Sequence, residues 1–294
     1  MRKVNLAVVG ATGMVGRTFL KVLEEKNLPI NNFYVMASAR SAGSKLTFMG
    51  KEYTVEELNE HSFDKPIDIA LFSAGGSTSA KFAPIAAQHG CVVIDNSAQW
   101  RQDPKVPLVV PEVNPEDIKW NSGIIANPNC STIQAMVVLK PLDDKYKIKR
   151  VVYSTYQAVS GAGVAGWKDL ENGLKGEAPK KFPHPIANNC LPHIDVFLDN
   201  GYTKEEMKMI WETRKILHHP DMRVTATTVR VPVFNSHSES INVEFENPVN
   251  INEVKELLSS APGVVLQDDP ENNVYPLAVN AAGRDEVFVG RIRR

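Results

Sequence analysis

The stretch VNLAVVGATGMVG, residues 4–16, decides the fold of the N-terminal part of the chain. Its first six residues are almost continuously apolar, which is typical of a strand buried on both faces. The glycine-rich turn Gly10–Gly16 follows at once, and residues 17–26 have the apolar spacing of a helix. Strand, glycine-rich turn and helix in this order are the context that a dinucleotide-binding fingerprint requires. The spacing GxxGxxG is a variant of GxGxxG, and the alternative is a tight structural turn without a ligand.

Further buried strands alternate with helical stretches after this motif. Short apolar runs occupy residues 33–37, 67–73 and 91–95, and residues 78–89 have the composition of a helix. This alternation predicts an α/β domain with a Rossmann-like, doubly wound parallel sheet. A ligand of such a sheet lies at the carboxyl ends of the strands. The loops expected to line it are residues 10–16, 38–41, 73–76 and 96–97.

The loop after the second strand indicates which cofactor is bound. NAD sites place an Asp or Glu here to bind the ribose 2′-hydroxyl, but this loop is Ser38-Ala39-Arg40-Ser41. Ser38, Arg40 and Ser41 suit a 2′-phosphate, because a guanidinium group binds phosphate through paired hydrogen bonds. We therefore expect NADP. The alternative is that Arg40 is an ordinary solvated loop residue.

Composition excludes several classes of protein. The chain has 294 residues, 43% hydrophobic and 23% charged, which is ordinary for a globular protein with two cores. Its net charge of −1 gives no generally basic surface for nucleic acid. Three cysteines, far apart and without CxxC spacing, argue against a disulfide framework or a metal site and favour a reducing cytoplasm. No segment approaches the length of a membrane span.

A cysteine stands at a predicted strand-to-helix junction in the middle of the chain. The stretch NPNCST, residues 127–132, follows a short apolar strand and precedes an apolar helix that Asn129 or Ser131 caps. A thiol at a helix N-terminus meets the positive end of the helix dipole, which favours the nucleophilic thiolate. From these residues alone, Cys130 is either a nucleophile or a buried structural cysteine.

After about residue 145 the pattern changes to longer strands. β-Branched and aromatic residues predict strands at 147–159, 224–234 and 238–246, and helices are expected at 166–175, 203–217 and 253–260. This pattern predicts an α+β domain with a mixed sheet, helices on one face, and a second face used in subunit contact. The Pro- and Asn-rich loop 176–192 is expected to be a packed functional or interface loop.

One of the seven histidines is a candidate to serve the thiol. His237 follows Arg230 by seven residues, at the end of a predicted strand. A cysteine nucleophile in acyl chemistry needs a nearby general acid or base, and an anionic substrate needs an arginine fork. Both residues face one pocket if the strand ends near Cys130; otherwise they belong to a polar turn. We interpret His218-His219 as a helix end and not as a metal pair, because adjacent side chains point apart.

Six motifs occur in a fixed order along the chain. They are GATGMVG (10–16), SARS (38–41), NPNCST (127–132), YQAVSGAG (156–163), ETRKI (212–216) and Arg230 with Ser236-His237-Ser238. In this order they resemble the bacterial aspartate-β-semialdehyde dehydrogenases, over the whole length of the chain. The resemblance implies an NADP-binding domain, residues 1–128, followed by a catalytic and dimerisation domain, residues 129–294, in a cytoplasmic homodimer.

The activity that this resemblance implies is the NADPH-dependent reductive dephosphorylation of L-4-aspartyl phosphate to L-aspartate 4-semialdehyde, in lysine, threonine and methionine biosynthesis. Cys130 is expected to form a thioester, His237 to act as the general acid/base, and Gln157 to orient the acyl group. The expected substrate contacts are Arg230 for the α-carboxylate, Glu212 for the amino group, and Arg101, Lys215 and Asn129 for the phosphate.

The same resemblance implies where the cofactor binds. The contacts are expected from Gly10, Ala11, Thr12, Gly13, Met14, Val15, Ser38, Arg40, Ser41, Ser73, Gly75, Ser160, Gly161 and Gly163. In one respect the chain departs from the family pattern, because family members continue past the equivalent of Arg294 by roughly one long helix that returns to the first domain. We expect its absence to uncover an apolar groove there and to weaken NADPH binding.

Two other functions stay open at this point. N-acetyl-γ-glutamyl-phosphate reductase has the same chemistry on a longer, acylated substrate. Glu212 argues against it, since a free amino group needs a carboxylate partner and an acetamido group does not. The other alternative is a non-catalytic NADP-binding or subunit-interaction module, which the missing helix makes plausible.

Overall fold

The computed structural model describes residues 3–294, and the chain divides into two compact units. The first unit runs up to Val109 and includes Pro115–Pro128. The second comprises Val110–Asn114 and Asn129–Arg294. The chain therefore contributes a short segment to the second unit, returns to the first, and enters the second again after Pro128.

The first unit is built on a six-stranded parallel sheet with the strand order β5-β2-β1-β6-β7-β8. Its elements are β1 (Val4–Val9), α1 (Met14–Lys26), β2 (Ile30–Ala37), β3 (Lys45–Phe48), β4 (Lys51–Thr54), β5 (Glu56–Glu57), β6 (Ile69–Phe72), α2 (Gly76–Gln88), β7 (Val92–Asp95) and β8 (Ile124–Ala126). The chain order reverses at β1, which has β2 on one side and β6 on the other. The predicted doubly wound parallel sheet is confirmed.

Two glycines of the fingerprint are required by close backbone packing. Gly10 has φ +85°, and a Cβ on it would lie 2.3 Å from the carbonyl oxygen of Ser73. A Cβ on Gly16 would lie 2.2 Å from the carbonyl oxygen of Gly10. Only glycine fits such positions without displacing main chain. The turn is therefore tight, and α1 begins at Met14, three residues earlier than the spacing predicted.

A small hairpin in the first unit was not predicted. Strands β3 and β4 pair antiparallel around Met49 and Gly50, whose φ values are +48° and +72°. Two successive positive φ values are typical of the tight turns that match the twist of a hairpin. Asn-Gly or Asp-Gly usually signals such a turn, and Met-Gly does not, so the sequence carried no recognisable sign of it.

The second unit contains a three-stranded mixed sheet with the order β10-β9-β11. Its elements are α3 (Cys130–Tyr146), β9 (Ile148–Gln157), α4 (Gly163–Gly173), α5 (Lys204–Ile216), β10 (Arg223–Arg230), β11 (Ser238–Phe245), α6 (Ile251–Ser260), β12 (Val264–Leu266), α7 (Ala278–Ala281) and β13 (Val287–Val289). Strand β10 runs parallel to β9 and β11 runs antiparallel to it, which confirms the mixed sheet.

One face of this sheet is covered by helices. Helix α3 packs against β9 and β11, and α5 packs against β10. Along β9 the side chains of Val151, Tyr153, Thr155 and Gln157 are buried, whereas Tyr156 on the other face is 46% exposed. Period-two alternation therefore assigns one face to the core and leaves the other open.

The ends of two elements are defined by local chemistry. Strand β10 stops at Arg230, four residues before the predicted end, and Pro232 has no N–H to continue a ladder. Helix α5 begins after Thr203, whose hydroxyl accepts from the N–H of Glu206 while the Glu206 carboxylate accepts from the N–H of Thr203. This capping box defines where α5 begins.

Candidate active site

Cys130 is the first residue of α3. The cap is Asn129, whose side-chain oxygen accepts from the N–H groups of Ser131 and Thr132 at 3.0 and 3.2 Å. Cys130 is exposed, in contrast to Cys91, a core residue whose pKa burial raises to about 12. An accessible thiol at the N-terminus of a long helix lies where the dipole stabilises a thiolate.

His237 lies beside this thiol. Its Nε2 is 3.2 Å from the Cys130 Sγ, although 107 residues separate the two along the chain. Two further contacts hold the residue: its Nδ1 accepts from the N–H of Ala158 at 3.0 Å, and its carbonyl oxygen accepts from Gln134 at 3.3 Å. Ser236, just before it, has φ +68°, so the chain turns sharply into β11.

The contacts of the imidazole define which of its two nitrogens carries the proton. Because the N–H of Ala158 donates to Nδ1, the neutral ring carries its proton on Nε2, the nitrogen that faces Cys130. Burial, followed by the positive charge of Arg230, lowers the pKa of His237 from 6.5 to about 4, and Glu205 opposes this. The ring is therefore neutral near pH 7 and offers an N–H to the sulfur.

Arg230 ends β10 next to the histidine. Its guanidinium is buried, and Nη1 donates to the carbonyl oxygen of Ala158 at 2.7 Å. A Cβ on Gly161 would lie 2.8 Å from that Nη1 and 3.4 Å from the ring of His237. Gly161 thus packs directly on both side chains, and the remaining guanidinium donors suit a carboxylate.

Gln157 ends β9 at the position that pairs with Arg230. Its amide nitrogen donates to the Ser131 hydroxyl at 2.8 Å and to Glu205 at 3.4 Å, and the side chain is 1% exposed. The parallel register therefore brings Gln157 and Arg230 to the same end of the sheet as Cys130 and His237. Gln157 is held against the first turn of α3.

A carboxylate that the sequence analysis did not single out belongs to this cluster. Glu205, on the first turn of α5, is 6% exposed and accepts from Asn129 at 2.8 Å as well as from Gln157. Lys208 donates to Glu205 at 3.0 Å and to Asp195 at 2.8 Å. Burial alone would raise the pKa of Glu205, but Lys208 and the amide donors lower it overall. The carboxylate is therefore charged at neutral pH.

Glu212 and Lys215, which the sequence analysis selected, lie two turns further along α5. The Glu212 carboxylate is fully buried and accepts from the N–H of Asn129 at 2.6 Å. Lys215 is half-buried near the end of the helix. The spacing Glu-x-x-Lys occurs twice on α5, at 205–208 and 212–215. The first pair lies among Asn129 and Gln157, whereas Glu212 supports the main chain that precedes Cys130.

The residues predicted to bind a cofactor fall into both units. In the first, the Thr12 hydroxyl is 3.3 Å from that of Ser41, so the fingerprint turn and the loop after β2 meet. Arg40 in that loop is exposed. Neither α1 nor α2 has a side-chain cap, since Gly13 and Gly75 precede them. The members of the first unit are Gly10, Ala11, Thr12, Gly13, Met14, Val15, Ser38, Arg40, Ser41, Ser73 and Gly75, and those of the second are Ser160, Gly161 and Gly163.

Arg101 is a buried arginine of the first unit. It is 8% exposed, and its guanidinium donates to the carbonyl oxygen of Asn96 at 2.9 Å. Among residues 3–294 there is no group of three His, Cys, Asp or Glu side chains placed to hold a metal ion. Within the same range, no helix is long and apolar enough to cross a membrane.

Two parts of the chain match domains of one known enzyme family. Residues 5–121 match the NAD binding domain of semialdehyde dehydrogenase, and residues 139–294 match the dimerisation domain of semialdehyde dehydrogenase. The two matches cover most of the chain, and they point to the semialdehyde dehydrogenase class.

Individual relatives identify the family within this class. The chain is 62% identical over 299 residues to an aspartate-semialdehyde dehydrogenase of Aquifex aeolicus, covering 99% of this chain and 88% of the relative. It is 51% identical over 303 residues to that of Campylobacter jejuni, with 99% and 88% covered. The chain belongs to the aspartate-semialdehyde dehydrogenase family.

Solved structures agree with this membership. Aspartate semialdehyde dehydrogenase II from Vibrio cholerae has a TM-score of 0.95 at 48% identity, covering 100% of this chain and 89% of the other. The same enzyme has been solved in complex with ASA, at 47% identity and the same coverage. The Candida albicans enzyme with NADP has a TM-score of 0.80 at 26% identity, with 99% and 90% covered. The predicted family and fold class are confirmed, and the two alternative functions are not favoured.

Proposed function

We propose that this chain catalyses the NADPH-dependent reductive dephosphorylation of L-4-aspartyl phosphate to L-aspartate 4-semialdehyde, and the reverse reaction. The observation that carries the proposal is the 3.2 Å contact between the Cys130 sulfur and Nε2 of His237 at the N-terminus of α3. Family membership supports the substrate, and so does the V. cholerae relative that was solved with ASA. The product feeds the biosynthesis of lysine, threonine and methionine.

In the first half-reaction Cys130 is the nucleophile. The thiolate attacks the acyl carbon of aspartyl phosphate, the C–S bond forms, the C–O bond to phosphate breaks, and phosphate leaves. The helix dipole and the Nε2–H of His237 stabilise the sulfur anion before the attack. Gln157, held by the Ser131 hydroxyl, is placed to orient the carbonyl group of the resulting thioester.

In the second half-reaction the thioester is reduced. NADPH supplies the hydride that the acyl carbon receives. The Nε2–H of His237 donates a hydrogen bond to the carbonyl oxygen and stabilises the negative charge that develops on it as the hydride arrives. When this tetrahedral intermediate collapses, the C=O bond re-forms, the C–S bond breaks and the sulfur leaves as a thiolate, so that the aldehyde is released.

The charged ends of the substrate have partners in the second unit. Arg230 suits the α-carboxylate, because its guanidinium is held rigidly by Ala158 and takes planar anions in a bidentate way. For the amino group we propose Glu205 in place of Glu212, since Glu205 is charged and lies beside Gln157. Lys208 then takes the phosphate role that the sequence analysis gave to Lys215, together with Asn129. For Arg101, in the first unit, the phosphate role stays a prediction.

The cofactor is held by the first unit in this proposal. The tight turn at Gly10, the two helices without side-chain caps and the contact between Thr12 and Ser41 suit a pyrophosphate and a ribose. NADP is proposed over NAD because Arg40 is exposed in the loop where an NAD site would need a carboxylate. The C. albicans relative solved with NADP supports this choice.

The proposed assembly is a cytoplasmic homodimer formed through the second unit. The sheet β10-β9-β11 has an open face that carries Tyr156, Ser238 and Ser240, all exposed. The family match names this part of the chain a dimerisation domain. An open face of long strands is a suitable surface for a second copy.

The reverse reaction tests the proposed function directly. Purified protein receives aspartate semialdehyde, inorganic phosphate and NADP, and NADPH absorbance is followed for the wild type, Cys130→Ala and Cys190→Ala. We expect turnover by the wild type and by Cys190→Ala, whose cysteine is also exposed, and none by Cys130→Ala. Activity that survives in Cys130→Ala would reject the thioester mechanism, and an inactive wild type would reject the proposed reaction.

A further inference from the structure

Two side chains of helix α3 face two side chains of the chain that enters β11, and the distance between the members is similar in both pairs. Cys130 and Gln134 lie one helical turn apart, a rise of about 6 Å. His237 and Glu239 lie two residues apart on extended chain, about 6.8 Å, and point to the same side. Helix α3 packs against β11, so the two pairs form adjacent rungs. The first rung is the sulfur–imidazole contact already described.

The second rung connects back to the first. The Gln134 amide nitrogen donates to the carbonyl oxygen of His237 at 3.3 Å, which ties the main chain of the histidine to the helix that carries Cys130. The same amide faces the Glu239 carboxyl group, although neither carboxyl oxygen has a partner in full hydrogen-bonding geometry. Gln134 therefore lies between His237 and Glu239.

The carboxyl group of Glu239 is not explained by packing. Both of its oxygens are inaccessible to water, and the next inward positions of β11 are Ile241 and Val243. An apolar side chain at 239 would continue that face without the cost of burying a polar group. Burial raises the pKa of Glu239 to about 8, with Gln134 acting in the opposite direction. At neutral pH the group is thus mostly the uncharged acid, which has one O–H to donate.

We propose that Gln134 and Glu239 are positioning residues for His237: Gln134 ties the histidine main chain to α3, and Glu239 holds the Gln134 amide from the strand. Neither touches the reacting atoms. Their effect is on the distance and angle between the imidazole and the sulfur, to which proton transfer and attack are sensitive. The inference rests on the proposed function for its kinetic readout alone, because the geometry of the sulfur is also measurable without substrate.

The experiment compares Glu239→Gln, Glu239→Leu and Gln134→Leu with the wild type in the full-length chain. The rate at which iodoacetamide alkylates Cys130 at neutral pH, followed on its peptide by mass spectrometry, reads the site without substrate. Steady-state kinetics in the reverse direction then separate kcat from KM. Glu244→Gln, which removes an exposed carboxyl from the same strand, and Ile241→Val, which trims the next inward side chain, are the controls.

We expect Glu239→Gln, which keeps the shape and the neutral charge, to stay within about threefold of the wild type in both measurements. Glu239→Leu and Gln134→Leu should lower kcat and the alkylation rate about tenfold with KM within about threefold, as a displaced catalytic group does. Both controls should match the wild type.

Two results would overturn the proposal. The first is wild-type kcat and alkylation in Gln134→Leu or Glu239→Leu. The second is Glu239→Gln as impaired as Glu239→Leu, since a neutral polar side chain of the same shape would then not be enough to hold the Gln134 amide. If Glu239→Leu does not fold, Gln134→Leu and Glu239→Gln decide the matter. A wild type that alkylates as expected but does not turn over aspartate semialdehyde would refute the proposed function and leave the positioning measurement intact.

Discussion

The state of His237 gives the sharpest quantitative prediction. Its pKa of about 4 lies some 2.5 units below the ordinary value of 6.5, which is about 3 kcal/mol in favour of the neutral ring. The experiment lowers the pH of the protein solution from about 7 to about 5. At the lower pH an ordinary histidine is about 97% protonated, whereas His237 should be only about 9% protonated. The ring should therefore stay neutral and carry its proton on Nε2.

The assay is nuclear magnetic resonance of protein with ¹⁵N-labelled histidine rings. The His237 signals are assigned by their absence in His237→Asn, and the nitrogen shifts distinguish protonated from unprotonated nitrogens. Arg230→Met should raise the midpoint, because it removes a positive neighbour, but not fully to 6.5, because burial is the larger cause. A wild-type midpoint near 6.5, or a neutral ring with its proton on Nδ1, would refute the reasoning.

The lowered pKa of His237 also makes the free energy of unfolding depend on pH. Between about pH 6.5 and pH 4 the unfolded chain binds a proton at this residue and the folded chain does not. The free energy of unfolding should therefore fall as the pH decreases, by at most about 2 kcal/mol between pH 7 and pH 5. Denaturant unfolding of the wild type should show this decrease relative to His237→Asn, and equal slopes in the two proteins would contradict it.

Two further predictions concern binding. Arg40→Ala should weaken NADP at least about tenfold and NAD less than twofold, as measured by calorimetric titration, because a charge-assisted contact to the 2′-phosphate is lost; equal losses would remove Arg40 from that site. Glu205→Ala should raise KM for aspartate semialdehyde at least about tenfold. Glu212→Ala should instead lower the free energy of unfolding by about 1–3 kcal/mol, because the buried N–H of Asn129 loses its acceptor. The reverse pattern in steady-state kinetics and denaturant unfolding would restore the original assignment.

The sequence was sufficient wherever structure is decided locally. The run Val4–Val9, the glycine turn and α1 are adjacent in the chain, and their order defines the strand–turn–helix unit. The N-terminus of α3 was found for the same reason, since Asn129 caps the helix two residues from the N–H that it accepts. The ends of strands were predicted less accurately. Strand β10, for example, stops at Arg230 and not at the last β-branched residue.

The sequence could not predict which residues of distant segments lie opposite one another in space. The contact of Cys130 with His237 depends on the antiparallel register of β11 on β9, in which Ser238 pairs with Tyr156. A shift of one residue would turn the histidine to the other face. Likewise, two Glu-x-x-Lys pairs on α5 have identical spacing, and the packing of that helix decides which glutamate lies beside Gln157.

The segment Val110–Asn114 limits how this protein can be divided. It belongs to the second unit, yet the chain on both sides of it belongs to the first. The Val110 N–H donates to the Asn114 side chain at 2.9 Å, and Glu112 lies against Gly263 in the second unit. A fragment that begins at Asn129 therefore lacks a piece of its own fold. Swapping the nucleotide-binding part between relatives should succeed only when these five residues travel with the second unit, which makes the two units poor candidates for simple modular exchange.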